Sequence, residues 1–564
     1  MIPGKVVVVG GVAGGATAAA RLRRLSEQVE ITVIERGPYV SFANCGLPYH
    51  VGGEIAEREK LVLQSPQSFW DRHRIRVVTN TEAVRLHPEA KQVEVRPTGE
   101  STATSERLDY DALILSTGAA PLRPPIPGID LPGLFTLRNI PDMDTIIAWI
   151  RQRSAQRAVV IGGGYIGLEM AEQLRHRGLH VSVVEVLPQV MAPLDAEMAA
   201  MLHQELRLNG VELYLGDGVA GFEAPMASSG AQAAMVTLKS GTRLPADVVI
   251  LGLGVRPEVW LAKDAGIELG QLGGIRVSDR QRTNLPGIWA VGDAVEVRNG
   301  VTGAWSVVPL AGPANRQGRL AADDIMGHPS PAYRGTFGTA ALRLFKLTAA
   351  CTGANERALK QAGMAYEALH LHPGHHVGYF PGAKPIALKL LFSPDDGRVL
   401  GAQAVGEEGV DKRIDVLATA IQGRMTVDDV ANLELCYAPP FGAAKDPVNL
   451  AAMIAQNIRA GMVKMAQWSE IAPGVDTPLV LDVRDAGERS MGAIPGSMHI
   501  PLNELRLRLG EVPRDRPLVV HCQSGQRSYY ACRVLAQNGI EARNLSGSWL
   551  TWSRAQAAPE PNGL

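Results

Sequence analysis

The sequence predicts an α/β protein of several domains, and three observations lead there. The chain of 564 residues is too long for one hydrophobic core, so about three or four domains are expected. A glycine-rich strand, turn and helix pattern occurs twice, over residues 5–25 and 159–185. After about residue 470 the character changes, and a further strand and helix flank Cys522.

Composition narrows the class. Apolar residues make up 46% and charged residues 20%, the balance of a soluble globular chain, and a net charge of -1 supplies no field that would attract nucleic acid. The start, MIPGKVVVVGG, lacks a basic n-region and runs into a glycine turn, so it does not read as a signal peptide. No stretch is long and apolar enough to span a bilayer, so no membrane association is expected. Five scattered cysteines do not form a secreted disulfide framework, which makes the reducing cytoplasm the expected compartment. No metal-ligand set stands out.

The first element is KVVVV (5–9), a buried strand, followed by a turn containing Gly10, Val12, Ala13 and Gly14 and by the helix ATAAARLRRL. The next strand, EITVIE, ends on Glu35. An acid at that distance suits the ribose hydroxyls of an adenosine whose pyrophosphate rests on the helix N-terminus. Val12 replaces the middle glycine of G-x-G-x-x-G, so this loop alone reads equally as a tight turn. In the second loop Gly162, Gly164 and Gly167 complete the pattern and Glu185 ends the following strand, which implies a second dinucleotide. The acid favours the free hydroxyl of NADH, while Arg175 and Arg177 nearby keep NADPH as an alternative. Two further segments are ALILSTGAAP, with Thr117 and Gly118, and TNLPGIWAVGDAV, which carries Gly292 and Asp293 to a strand's C-terminal end. Either alone is strand plus turn.

In this order the four pieces resemble the two-dinucleotide-binding flavoprotein disulfide reductases, from residue 1 to about residue 460. The resemblance implies two Rossmann-like domains. FAD would lie on the first loop with Glu35, Arg36, Thr117 and Gly118, and with Asp293 near its ribityl chain; the nicotinamide dinucleotide would lie on the second. It implies an FAD domain over 1–149 and 251–325, an NAD(H) domain over 150–250, and an α+β dimerisation domain over 326–460 that makes a homodimer.

SFANCGLPYHVGG (41–53) holds one cysteine, Cys45. Family members with an internal dithiol carry two cysteines separated by four residues, and here the second position is His50. Cys45 can therefore cycle as a mixed disulfide with a small thiol, or as a sulfenic acid. The stretch resembles the coenzyme A disulfide reductases, whose single cysteine pairs with CoA. That resemblance implies CoA contacts at Thr17, Arg21, Arg24, Ser41, Asn44, Asn315 and Lys445, with His73 where the family often has lysine. Arg21 and Arg24 are expected on one face of the first helix. Tyr379 and Tyr437 match tyrosines that serve the neighbouring subunit's cysteine with a proton or hydrogen bond. Phe441 stands where a further hydroxyl is common, and Cys436 reads as packing.

After a linker at 461–470, residues 471–564 form a separate α/β unit. LVVH leads to CQSGQR and a helix, so backbone amides, the helix dipole and Arg527 are expected to favour an anionic Cys522. This resembles the rhodanese domain, with Asp482, Arg484 and Glu488 at the matching strand end and Cys532 in the core. Arg527 follows Cys522 by five residues, a cradle suited to one sulfur rather than to phosphate.

The combined resemblance implies an FAD- and NADH-dependent reductase of persulfides, polysulfides or CoA disulfides through Cys45, with sulfane sulfur carried on Cys522. An NADH oxidase or peroxidase with a Cys45 sulfenic acid is the alternative. A nucleotide-binding redox sensor without turnover is a third reading.

Overall fold

Strand Lys5–Val9 is central in a five-stranded parallel sheet of order Ile288–Ala290, Ala112–Leu115, Lys5–Val9, Glu30–Ile34, Arg76–Val78. The computed structural model describes residues 3–100, 104–224, 233–471 and 478–556. Val6 to Val9 and Ala112 to Leu115 are buried on both faces, which explains why these strands are continuous apolar runs without alternation. Helices Ala13–Leu25 and Ala311–Ile325 pack closely: a Cβ on Gly318 would lie 2.2 Å from the Gly14 carbonyl oxygen. Val9, Ile34, Leu115 and Ala290 all end at the same edge of the sheet, so the loops after them converge there.

This sheet belongs to a compact unit of residues 1–186 and 217–336. The same unit repeats the design with parallel strands His180–Glu185, Arg157–Ile161, Val248–Leu251 and Leu134–Phe135 in that order, and the helix Tyr165–His176.

A second unit contains residues 187–216 and 337–564. One of its sheets is antiparallel, in the order Ala340–Leu344, Leu347–Gly353, Val399–Gly406, Ile386–Phe392, Glu367–Leu371. Lys389, in the middle of this sheet, is fully buried. Its ammonium meets Asp195 at 2.8 Å, Glu356 at 2.6 Å, and Glu197. Burial pulls Lys389 down, and the three carboxylates outweigh it, so it remains charged.

The other sheet of this unit is parallel, in the order Lys464–Ala466, Arg543–Leu545, Leu518–His521, Leu479–Asp482, Met498–His499. The stretch 461–470 is therefore not a simple linker, because Lys464–Ala466 is this sheet's edge strand and Trp468–Ile471 a 3-10 turn. Three residues are too few to show a strand period in sequence. Among the described residues no helix is long and apolar enough to cross a membrane.

Candidate active site

A cavity of about 550 Å³ opens where the loops of the first sheet converge, and all ten residues expected for the first cofactor line it, from Gly10 through Asp293. Gly10 has φ +97° and Gly162 in the second loop has φ +107°, left-handed turns that favour glycine. A Cβ on Gly15 would lie 1.9 Å from the Gly10 carbonyl oxygen, as one on Gly167 would from that of Gly162. Gly15 thus takes the place of the third glycine of the first motif, in which Val12 alone departs from the pattern. The acids are matched as well: Glu35 accepts the Gly11 amide at 2.8 Å and Glu185 accepts that of Gly163 at 2.7 Å.

The helices Ala13–Leu25 and Tyr165–His176 start without a side-chain cap and without an acid in the first turn. By contrast, Asn139 and Asp142 cap helix Ile140–Arg153. Uncapped amides at the two motif helices are donors left for phosphate oxygens. With the cavity volume and the acids beside each loop, this donor set fits two dinucleotides.

Arg138, just before the Asn139 cap, places a guanidinium nitrogen 3.6 Å from the Asp293 carboxylate. Burial pushes Asp293 up, with Arg138 drawing it back. Arg138 was not among the expected residues; the Asn139 and Asp142 capping pair is the signal that could have located its turn. Thr117 Oγ1 donates to the Glu258 carbonyl at 2.6 Å.

Cys45 lies in the 3-10 turn Asn44–Gly46, ahead of helix Leu47–Gly52. Its side chain is exposed, yet the protein around the sulfur excludes enough water to push the thiol up; Glu169 and Asp293 add to this, and Arg138 opposes it. His50, in place of a second thiol, directs Nδ1 to the Ile55 carbonyl at 2.5 Å. None of the five cysteines is in a disulfide. Ser41 has φ +46°, a strained conformation for a residue with a side chain, directly ahead of this turn.

Three of the residues expected for CoA have side-chain partners within the protein. Thr17 Oγ1 donates to Asn315 Oδ1 at 2.5 Å, and Arg21 Nε pairs with Asp323 at 2.6 Å. Arg24 is exposed, so the two arginines do not present equally, because a buried acid on the neighbouring helix captures Arg21. Ser41 and Asn44 flank Cys45, and Lys445 is an exposed residue of the second unit.

In that second unit the phenol oxygens of Tyr379 and Tyr437 are 3.0 Å apart, with 75% and 46% of the residues exposed. They are not core residues. Cys436 is exposed, which overturns its reading as packing. Buried Arg413 donates to the His375 carbonyl at 2.7 Å and to Asp446 at 2.8 Å, tying together the loops that carry the two tyrosines.

The Cys522 sulfur accepts the Gly525 amide at 3.1 Å and faces Ser528 Oγ at 3.4 Å and Ser548 Oγ at 3.9 Å. Arg527 pairs through both terminal nitrogens with Glu488, at 2.7 and 2.6 Å, and its charge also acts on the Cys522 sulfur through space. The nearby carboxylate captures the long side chain. Ser528 and Ser548 were not anticipated, since only folding brings Ser548 back to the cysteine. Cys532 is buried in the core, and Asp482 is bound by Arg484 and Arg489.

The pyridine nucleotide-disulphide oxidoreductase model matches residues 4–318, its dimerisation domain 339–447, and the rhodanese-like domain 467–555. The chain belongs to the pyridine nucleotide-disulphide oxidoreductases. Within this family it is 35% identical over 452 residues to the coenzyme A disulfide reductase of Staphylococcus epidermidis, covering 80% of this chain and 100% of the relative. The reduced Bacillus anthracis CoADR-RHD is 46% identical, with a TM-score of 0.93 over 98% of both chains. A NAD-dependent persulfide reductase from A. fulgidus is 38% identical, with a TM-score of 0.90 over 97% of this chain and 100% of that one. The two solved structures align with nearly the whole of this chain, whereas the Staphylococcus epidermidis enzyme aligns with 80% of it.

Proposed function

We propose that the protein is an FAD-dependent NADH oxidoreductase that reduces CoA disulfides, CoA persulfide or polysulfides through Cys45 and carries sulfane sulfur on Cys522. The observation that carries the reading is the lone Cys45 beside the first cavity, with His50 turned to a backbone carbonyl where a second thiol would stand. FAD, held by the first cavity between Gly10, Glu35, Thr117 and Asp293, would supply to Cys45 chemistry the electron pair that NADH provides.

The chain's own residues do the rest. The Cys45 thiolate attacks the inner sulfur of a CoA persulfide; a Cys45–CoA disulfide forms, the S–S bond of the persulfide breaks, and hydrosulfide leaves. Two electrons then return Cys45 and CoA to thiolates. Tyr379 and Tyr437 supply a proton or hydrogen bond to the departing thiolate in a homodimer. Thr17, Arg21, Arg24, Ser41, Asn44, Asn315 and Lys445 hold CoA, and Glu185 sets the preference for NADH. Arg527 borders the Cys522 loop. The cytoplasm suits a free-thiol mechanism.

Mass spectrometry of the purified, unreduced protein tests this. A CoA adduct on Cys45 is expected; a bare or singly oxidised Cys45 with rapid oxygen or peroxide turnover would instead favour the oxidase reading.

A further inference from the structure

The Cys522 cradle is not built by the C-terminal sheet alone. Strand Glu367–Leu371 is an edge of the antiparallel sheet, and edge strands leave alternate backbone groups unpaired. Here the C-terminal sheet's own surroundings pair them: Gln467 Nε2 donates to the Ala368 carbonyl, and the His370 amide donates to Ser546 Oγ, both at 2.9 Å. The His370 ring continues the connection, with Nδ1 2.9 Å from Ser546 Oγ and Nε2 2.9 Å from Glu197. Glu197 is itself held by buried Lys389.

Ser546 begins the loop that reaches the sulfur. Gly547 and Ser548 follow with φ +66° and +52°, two consecutive left-handed residues of which the second bears a side chain. Ser548 Oγ accepts the Cys522 amide at 3.2 Å and faces the sulfur. The amides of Trp549 and Leu550 donate to the carbonyls of Cys522 and Gln523 at 3.1 and 3.0 Å. Gly547 packs tightly: an added Cβ would lie 2.0 Å from Thr551 Oγ1 and 2.8 Å from His370 Cβ. Strain of this kind persists only where its surroundings over-determine it, and here His370 supplies part of that restraint.

We propose that His370 and Ser546 are positioning residues for sulfur transfer at Cys522, holding the strained Ser546–Ser548 loop from the dimerisation sheet. The inference rests on the reading of Cys522 as a sulfur carrier. In the assayed reaction the Cys522 thiolate attacks the outer sulfur of thiosulfate, forming an S–S bond as sulfite leaves. Cyanide then takes the outer sulfur as thiocyanate and restores the thiolate.

The test uses the full chain with thiosulfate and cyanide, and follows NADH-dependent reduction of CoA disulfide in the same preparation. His370→Ala and Ser546→Ala should each lower kcat for thiocyanate about tenfold, leave KM for thiosulfate within about twofold, and spare CoA disulfide reduction. His370→Gln, which keeps a hydrogen-bonding side chain, should recover most of the rate. Unchanged thiocyanate turnover in both alanine variants, or parallel loss of both activities, would overturn the proposal. A wild-type chain that makes no thiocyanate would overturn the carrier reading itself.

Discussion

Arg527 gives both terminal guanidinium nitrogens to Glu488, at 2.7 and 2.6 Å, while the Cys522 sulfur takes its hydrogen bond from the Gly525 amide. The cation nearest in sequence to the sulfur is therefore already paired with a carboxylate. Replacing Glu488 by Gln releases this charge at the edge of the loop. KM for the dianion thiosulfate should fall by roughly twofold to fivefold at low salt, and the gain should shrink as salt is added. Thiocyanate formation measured at two ionic strengths checks both expectations.

The reactivity of Cys45 is set by charges of opposite effect. Glu169 and Asp293 push the thiol up beyond what burial does, and Arg138 pulls it down. Arg138→Ala should slow alkylation of Cys45 by iodoacetamide at neutral pH, and Glu169→Gln should speed it, each by roughly twofold to tenfold. Changes in the same direction would show that these charges do not govern the thiol.

Acid should weaken the second unit before its carboxylates titrate. Burial holds His203 and His521 down at about 4 and His372 at about 3, against an unfolded value of about 6.5. Between those values the unfolded chain binds more protons than the folded one. The stability that these histidines contribute is thus complete above about pH 6.5 and is lost progressively as pH falls toward 4 and below. The melting temperature should decline over that window, and substituting His203 by Gln should make the decline shallower.

Lys389 tests the charged centre of the dimerisation sheet. It is fully buried among Asp195, Glu197 and Glu356. Lys389→Met leaves three carboxylates without their cation and should destabilise the fold by about 3–5 kcal/mol, read by urea unfolding. Recovery in a Lys389→Met, Glu197→Gln double variant would show that the cost is unpaired charge rather than lost packing.

The two glycine loops, their paired acids, the lone Cys45 and the CQSGQR loop could all be read from the sequence, because each depends on residues close together in the chain. A strand, a turn with φ near +100° and a helix N-terminus are local events, and Gly10 or Gly162 announces them. The lack of a second thiol at His50 was equally visible. Partner choice among long side chains was not. Arg21 pairs through Nε with Asp323 and Arg527 with Glu488, 302 and 39 residues away, carboxylates that only packing brings close. Arg138 beside Asp293, the two tyrosine hydroxyls, and the His370 contact to Ser546 likewise exist only once distant segments meet. The sequence determined which chemistry this protein holds; tertiary structure decided which charges are spent on holding it in place, because side-chain pairing depends on distance in space and not along the chain.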